Sequence, residues 1–133
     1  MAGKWLFITL PSGRSLAYFR PRIRPNKWDE PALHYEGEND RSQWEVVGTY
    51  GGKLSENITQ AVSRDLLCEA QRRIEAAGYG IVLHVHDEVA VEVESRHADA
   101  VLKHICNIMV EVPAWAEGLP LRADGFVSKY YRK

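Results

Sequence analysis

The run His84-Val85-His86-Asp87-Glu88 holds the densest grouping of side chains able to do chemistry in this sequence. A carboxylate held at the end of a rigid strand suits a hard divalent cation, because Mg²⁺ prefers oxygen ligands and keeps positions for water and phosphate. Two-metal phosphoryl transfer needs carboxylates from at least two sources to hold its pair of ions. Spacing alone leaves two readings of Asp87 open, a metal ligand and a simple turn former. A zinc site built on His84 and His86 is the weaker reading, since no third nitrogen or sulfur ligand stands at a telling spacing.

The elements flanking this run must position it. From Ile81 to Val93 the odd positions are apolar except at Asp87. A single strand of that length exceeds the usual range, so a hairpin turning at His86-Asp87-Glu88 is expected. An odd loop would place Leu83 with Val91, and Val85 with Val89, on one apolar face. Before the hairpin, Ile58, Val62, Leu66, Ala70, Ile74 and Ala77 recur at helical spacing, with Ser55 as N-cap and Gly78 as the residue just past the end. A second helix is expected over 95–109, with Val101, Leu102, Ile105 and Met109 inward and Pro113 beyond it. Near the start, Trp5–Leu10 and Ser15–Phe19 flank Pro11-Ser12-Gly13-Arg14 and read as an antiparallel hairpin. The stretch 21–43 carries Pro21, Pro25, Pro31, Gly37, Asn39 and Asp40 and reads as a long exposed loop. Residues 119–131 read as a final extended segment.

With 133 residues and 26% charged side chains, the chain is long enough for one core, so a single domain over 1–133 is expected, of α+β class. No apolar run reaches the length that crosses a bilayer, and Met1-Ala2-Gly3-Lys4 does not read as a signal peptide, so no membrane partner and a cytoplasmic location are expected. Cys68 and Cys106 sit in apolar helical patterns and read as buried thiols. A net charge of −1 excludes nucleic-acid binding through bulk positive charge. Local basic patches remain at Arg14, Arg20, Arg22, Arg24 and Lys27, and at Lys129-Tyr130-Tyr131-Arg132-Lys133; both read most simply as solvated surface.

Val85-His86-Asp87-Glu88-Val89 resembles motif C of the A-family DNA polymerases. The stretch from Thr49 to Leu67, with Gln60 followed five residues later by Asp65, is similar to the helix that precedes motif C in phage members. Gly13-Arg14 and Leu119-Pro120-Leu121 also fit in order and spacing, so the resemblance, to the C-terminal palm segment of a phage-type enzyme, covers nearly the whole chain. It implies an antiparallel sheet with the motif C hairpin packed against two main helices. It further implies that Asp87 binds catalytic metal, that Glu88 assists metal or primer-end placement, and that His86 contacts the primer backbone. Gln60 is implied to touch the duplex minor groove, where acceptors are common to every base pair; Lys53 and Asn57 lie on the approach. Many members carry Gln where His84 stands, which sets that minor-groove contact apart.

The implied cofactor is Mg²⁺, in a two-metal site complete only when motif A is added. Neither motif A nor the fingers helix that clamps the triphosphate has a counterpart in these residues. The implied partners are primer-template DNA, a deoxynucleoside triphosphate held by a complementing polymerase fragment, and a second copy paired through an exposed sheet edge. The implied setting is a bacterial host or phage-infected cell. Two function classes follow: a polymerase portion inactive by itself, and a non-catalytic duplex-DNA-binding or structural remnant of a prophage polymerase.

Overall fold

The computed structural model describes residues 4–39 and 41–131. Met1-Ala2-Gly3, Asp40 and the closing Arg132-Lys133 lie outside the described residues. The chain divides into two compact units, 1–62 and 63–133. Both are α+β.

The first unit is a four-stranded antiparallel meander, β1 (Trp5–Thr9), β2 (Ser15–Pro25), β3 (Pro31–Glu38) and β4 (Trp44–Thr49), in sequential order. The expected N-terminal hairpin is present. The expected loop over 21–43 is not; most of it is strand, and the reason lies in where its prolines fall. Pro21 lacks the N–H that a central strand needs, and it sits at a bulge: Phe19 pairs with Glu36 but Arg22 pairs with His34, so β2 carries one extra residue. Arg20 takes the left-handed φ of 47° that opens this bulge. Pro25 and Pro31 face each other at the hairpin's mouth, where the ladder ends.

The three meander turns share one geometry. Leu10 N donates to Arg14 O, Asn26 N to Glu30 O and Asn39 N to Gln43 O, at 2.7, 2.8 and 2.9 Å. In each, the fourth residue is left-handed: Gly13, Asp29 and Ser42. A three-residue loop of this kind connects hairpins whose twist matches the strands. Asn26 and Asn39 reinforce it, each accepting two backbone N–H bonds on its side-chain oxygen. These side-chain bonds replace the ladder bonds that a turn must give up.

One face of the sheet carries Leu6, Leu16 and Tyr18, with Tyr18 buried and set edge-on to Tyr35 at 4.9 Å. Onto this face comes the first half of α1 (Gly51–Ala76), through Asn57 Nδ2 to Tyr18 Oη at 3.3 Å and Arg14 Nη2 to Ala61 O at 3.1 Å. Burial, then the neighbouring Tyr18, raises the Tyr35 phenol above its ordinary 10.0, with Lys53 opposing. The helix begins five residues earlier than a Ser55 cap predicts, since α1 starts at Gly51 and Leu54 N already donates to Tyr50 O.

In the second unit α1 ends as expected. Tyr79 N donates to Ile74 O and Gly78 N to Glu75 O, while Gly78 has φ 89°, the paired bonds of a glycine-terminated helix. There follow the hairpin β5 (Ile81–Val85) and β6 (Glu88–Val91), a short turn, and α2 (Ala98–Met109). The core is Ile74 of α1 with Ile105 and Ile108 of α2, and Ile81, Val89 and Val91 of the hairpin pack onto it. The hairpin therefore does pack against two helices, but as its own two-stranded sheet and not as part of the larger one. Residues 119–131 form no regular strand. They run against α2, where a Cβ on Gly125 would lie 2.7 Å from Leu102 Cδ1. Cys68 and Cys106 are free and half-buried. Among the described residues no helix is long and apolar enough to cross a membrane.

Candidate functional site

The hairpin tip is tighter than the sequence implies. Val85 pairs with Glu88, which leaves a two-residue turn of His86 and Asp87, where a three-residue tip was expected. Changing loop length by one residue moves every following side chain to the other face. Val89 thus stands opposite His84, not with Val85, and Leu83 stands opposite Ala90, not Val91. An extra residue at Val82 then restores Ile81 to the face of Val91. By register one face carries Ile81, His84, Val89 and Val91, of which His84 stays exposed, and the other carries Leu83, Val85, Glu88 and Ala90. The apolar face expected from Leu83, Val85, Val89 and Val91 does not exist as a unit.

His86, Asp87 and Glu88 are all exposed at this tip. His86 has φ 53°, the left-handed region that most side chains avoid. Glycine or asparagine would occupy that position with less strain, so a histidine there is held by something other than backbone preference. The docked valines make the tip a fixed projection, since an isolated two-stranded hairpin is marginally stable in water.

Among the described residues no group of three or more His, Cys, Asp or Glu side chains gathers as a metal would require. Asp87 and Glu88 are adjacent oxygen donors, of the hardness that suits Mg²⁺.

His84 is not at the tip. It lines an open concavity of about 340 Å³ with Cys68, Gln71, Arg72, Glu75 and Ile81, facing the second half of α1. Alternating strand positions separate it from the outward Glu88.

The other candidates belong to the first unit. Lys53, Asn57 and Gln60 follow spacings of four and three and so share one stripe of α1. Gln60 is exposed, as a duplex contact needs. Asn57 is half-buried and bonded to Tyr18, which gives it a packing role. Lys53 Nζ pairs with Glu56 at 3.1 Å. Pattern reading missed the outer face of the four-stranded sheet, where Trp5, Phe7, Phe19 and Trp44 gather; alternation along β1 was the signal for it.

The chain matches no family model and no solved structure. It is 46% identical over 129 residues to a DNA polymerase of Bacillus phage SP02, an alignment covering 96% of this chain and 20% of that protein. The chain thus spans about a fifth of the length of that relative, and its sequence is similar to a segment of a phage DNA polymerase.

Proposed function

We propose that the chain is the motif C portion of the palm of an A-family DNA polymerase, contributing to templated nucleotidyl transfer in DNA replication. The observation that carries this reading is the exposed His86-Asp87-Glu88 tip, with its strained His86, in a sequence similar throughout to a phage polymerase segment. Asp87 and Glu88 would hold Mg²⁺ from one side, and a carboxylate outside these residues would hold it from the other. Bound magnesium would stabilise the negative charge that develops as phosphate transfers.

The chain's own residues have positioning work. The Ile81, Val89 and Val91 contacts hold the tip in place, which matters because small misplacements of a reacting group cost rate heavily. His86 would bond the primer-end backbone. Gln60, exposed on α1, would meet the minor groove of the primer-template duplex, with Lys53 beside it; Asn57 anchors the helix to its sheet. His84 faces α1 and is withdrawn from that set.

A second reading, a non-catalytic duplex-binding or structural remnant, is favoured by the incomplete ligand set among the described residues. One experiment separates the two. The purified chain is mixed with a polypeptide carrying motif A and the fingers helix, and primer extension is measured. Extension by the mixture, none by either part, and its loss in Asp87→Asn are expected. Equal extension by Asp87→Asn would refute the metal role, and duplex binding with no extension would favour the remnant.

A further inference from the structure

The outer face of an antiparallel sheet that meets water is ordinarily polar, with apolar residues reserved for the face toward the core. Here the core face is the one with Tyr18. The registers Trp5 with Phe19, Phe7 with Ala17 and Glu38 with Trp44 place a row of rings on the opposite side. Trp5 lies 4.7 Å from Phe19 and 6.3 Å from Phe7, and Phe19 lies 6.5 Å from Trp44. Trp5, Phe7 and Trp44 are 46, 60 and 65% exposed.

Cations border the row. The Arg20 guanidinium sits 5.1 Å from the Phe19 ring centre. Arg20 and Arg22 both reach Glu36, at 3.3 and 3.2 Å, so two guanidiniums share one carboxylate. Arg24 follows Arg22 on the same face, about 6.6 Å further along the strand. An apolar protein partner laid on this face would have to strip water from three guanidiniums, which is costly without matching anions. A polynucleotide strand offers an anion with every base and a flat ring for every aromatic side chain.

We propose that this face is a stacking platform for single-stranded nucleic acid, with Trp5, Phe7, Phe19 and Trp44 taking bases and Arg20, Arg22 and Arg24 taking phosphates. Recognition is indifferent to sequence, because every base has a face to stack. The proposal does not rest on the metal role of the hairpin tip.

Fluorescence anisotropy of a labelled oligothymidylate, titrated with the full chain, tests it. Saturable binding that weakens as salt rises is expected. Trp5→Ala and Trp44→Ala should each weaken it about tenfold, Arg24→Ala should flatten the salt dependence, and Asp87→Asn should leave it unchanged. Trp5→Phe keeps a ring and should retain most affinity, which separates lost stacking from lost folding; circular dichroism checks the fold of each variant. Absence of single-strand binding at low salt would overturn the proposal, as would binding indifferent to both tryptophan variants. Binding of polyglutamate in place of the oligonucleotide would assign the face to an acidic protein partner and overturn it too.

Discussion

Ile74→Ala probes whether the C-terminal core positions the hairpin tip. Ile74 is fully buried and joins α1 to Ile105 and Ile108 of α2, with Ile81, Val89 and Val91 resting on the cluster. Truncating a buried isoleucine to alanine costs about 2–5 kcal/mol, depending on how far the site collapses. Most neighbours of Ile74 are only half-buried, so collapse and water entry are easy, and about 2–3 kcal/mol is expected. The hairpin has only two strands and little stability of its own, so this loss falls on its docking. At 1.36 kcal/mol per tenfold, local opening should rise by about thirtyfold or more. Hydrogen exchange read by mass spectrometry on peptides covering 81–91 measures this, with peptides from 5–19 of the four-stranded sheet as the reference. Ile74→Val should give a graded response near 1 kcal/mol. Unchanged exchange in 81–91 for Ile74→Ala would refute the claim that this cluster holds the tip.

Gly78→Ala forces a side chain into a left-handed cap with nothing within 4 Å, so the cost is conformational alone, about 1–2 kcal/mol, read as a lower urea midpoint with unchanged slope. Tyr35 keeps its proton to higher pH when folded than when unfolded, so its contribution is present below pH 10 and is lost as pH rises through the raised value. Stability of the first unit should therefore decline above pH 10, and Tyr35→Phe should remove that part of the slope in alkaline denaturation monitored by circular dichroism. Among the described residues the two-stranded sheet has its outer edges unpaired beside exposed Val82 and Leu83, so the chain should dimerise through this edge; light scattering showing a monomer across a concentration series would count against it, and Leu83→Lys should weaken any dimer.

Local chemistry was legible in the sequence. The N-terminal hairpin, the glycine that ends α1, the extent of α2, and a turn bearing Asp87 all follow from short-range rules of pattern and backbone preference. The resemblance carried by Val85-His86-Asp87-Glu88-Val89 pointed to a polymerase segment, and similarity to a phage DNA polymerase agrees with it at that level.

Tertiary structure decided what depends on partners distant in sequence. Prolines mark loops by local rules, yet Pro21 fits a strand because the facing strand tolerates a bulge there, and Pro25 and Pro31 fit because they meet where pairing ends. Alternation in 81–93 predicts a hairpin but points to an odd loop, whereas the two-residue turn found splits the odd-numbered apolar residues between two faces. The two-residue turn lets Val89 and Val91 pack onto the helices, and it puts the exposed His84 on their face of the hairpin while leaving Asp87 at the tip. Asn57 reads as a surface polar residue until Tyr18, 39 positions away, accepts its hydrogen bond. In each case a side chain's role followed from which surface came to lie against it, and that is a property of the packed chain, which no local stretch encodes.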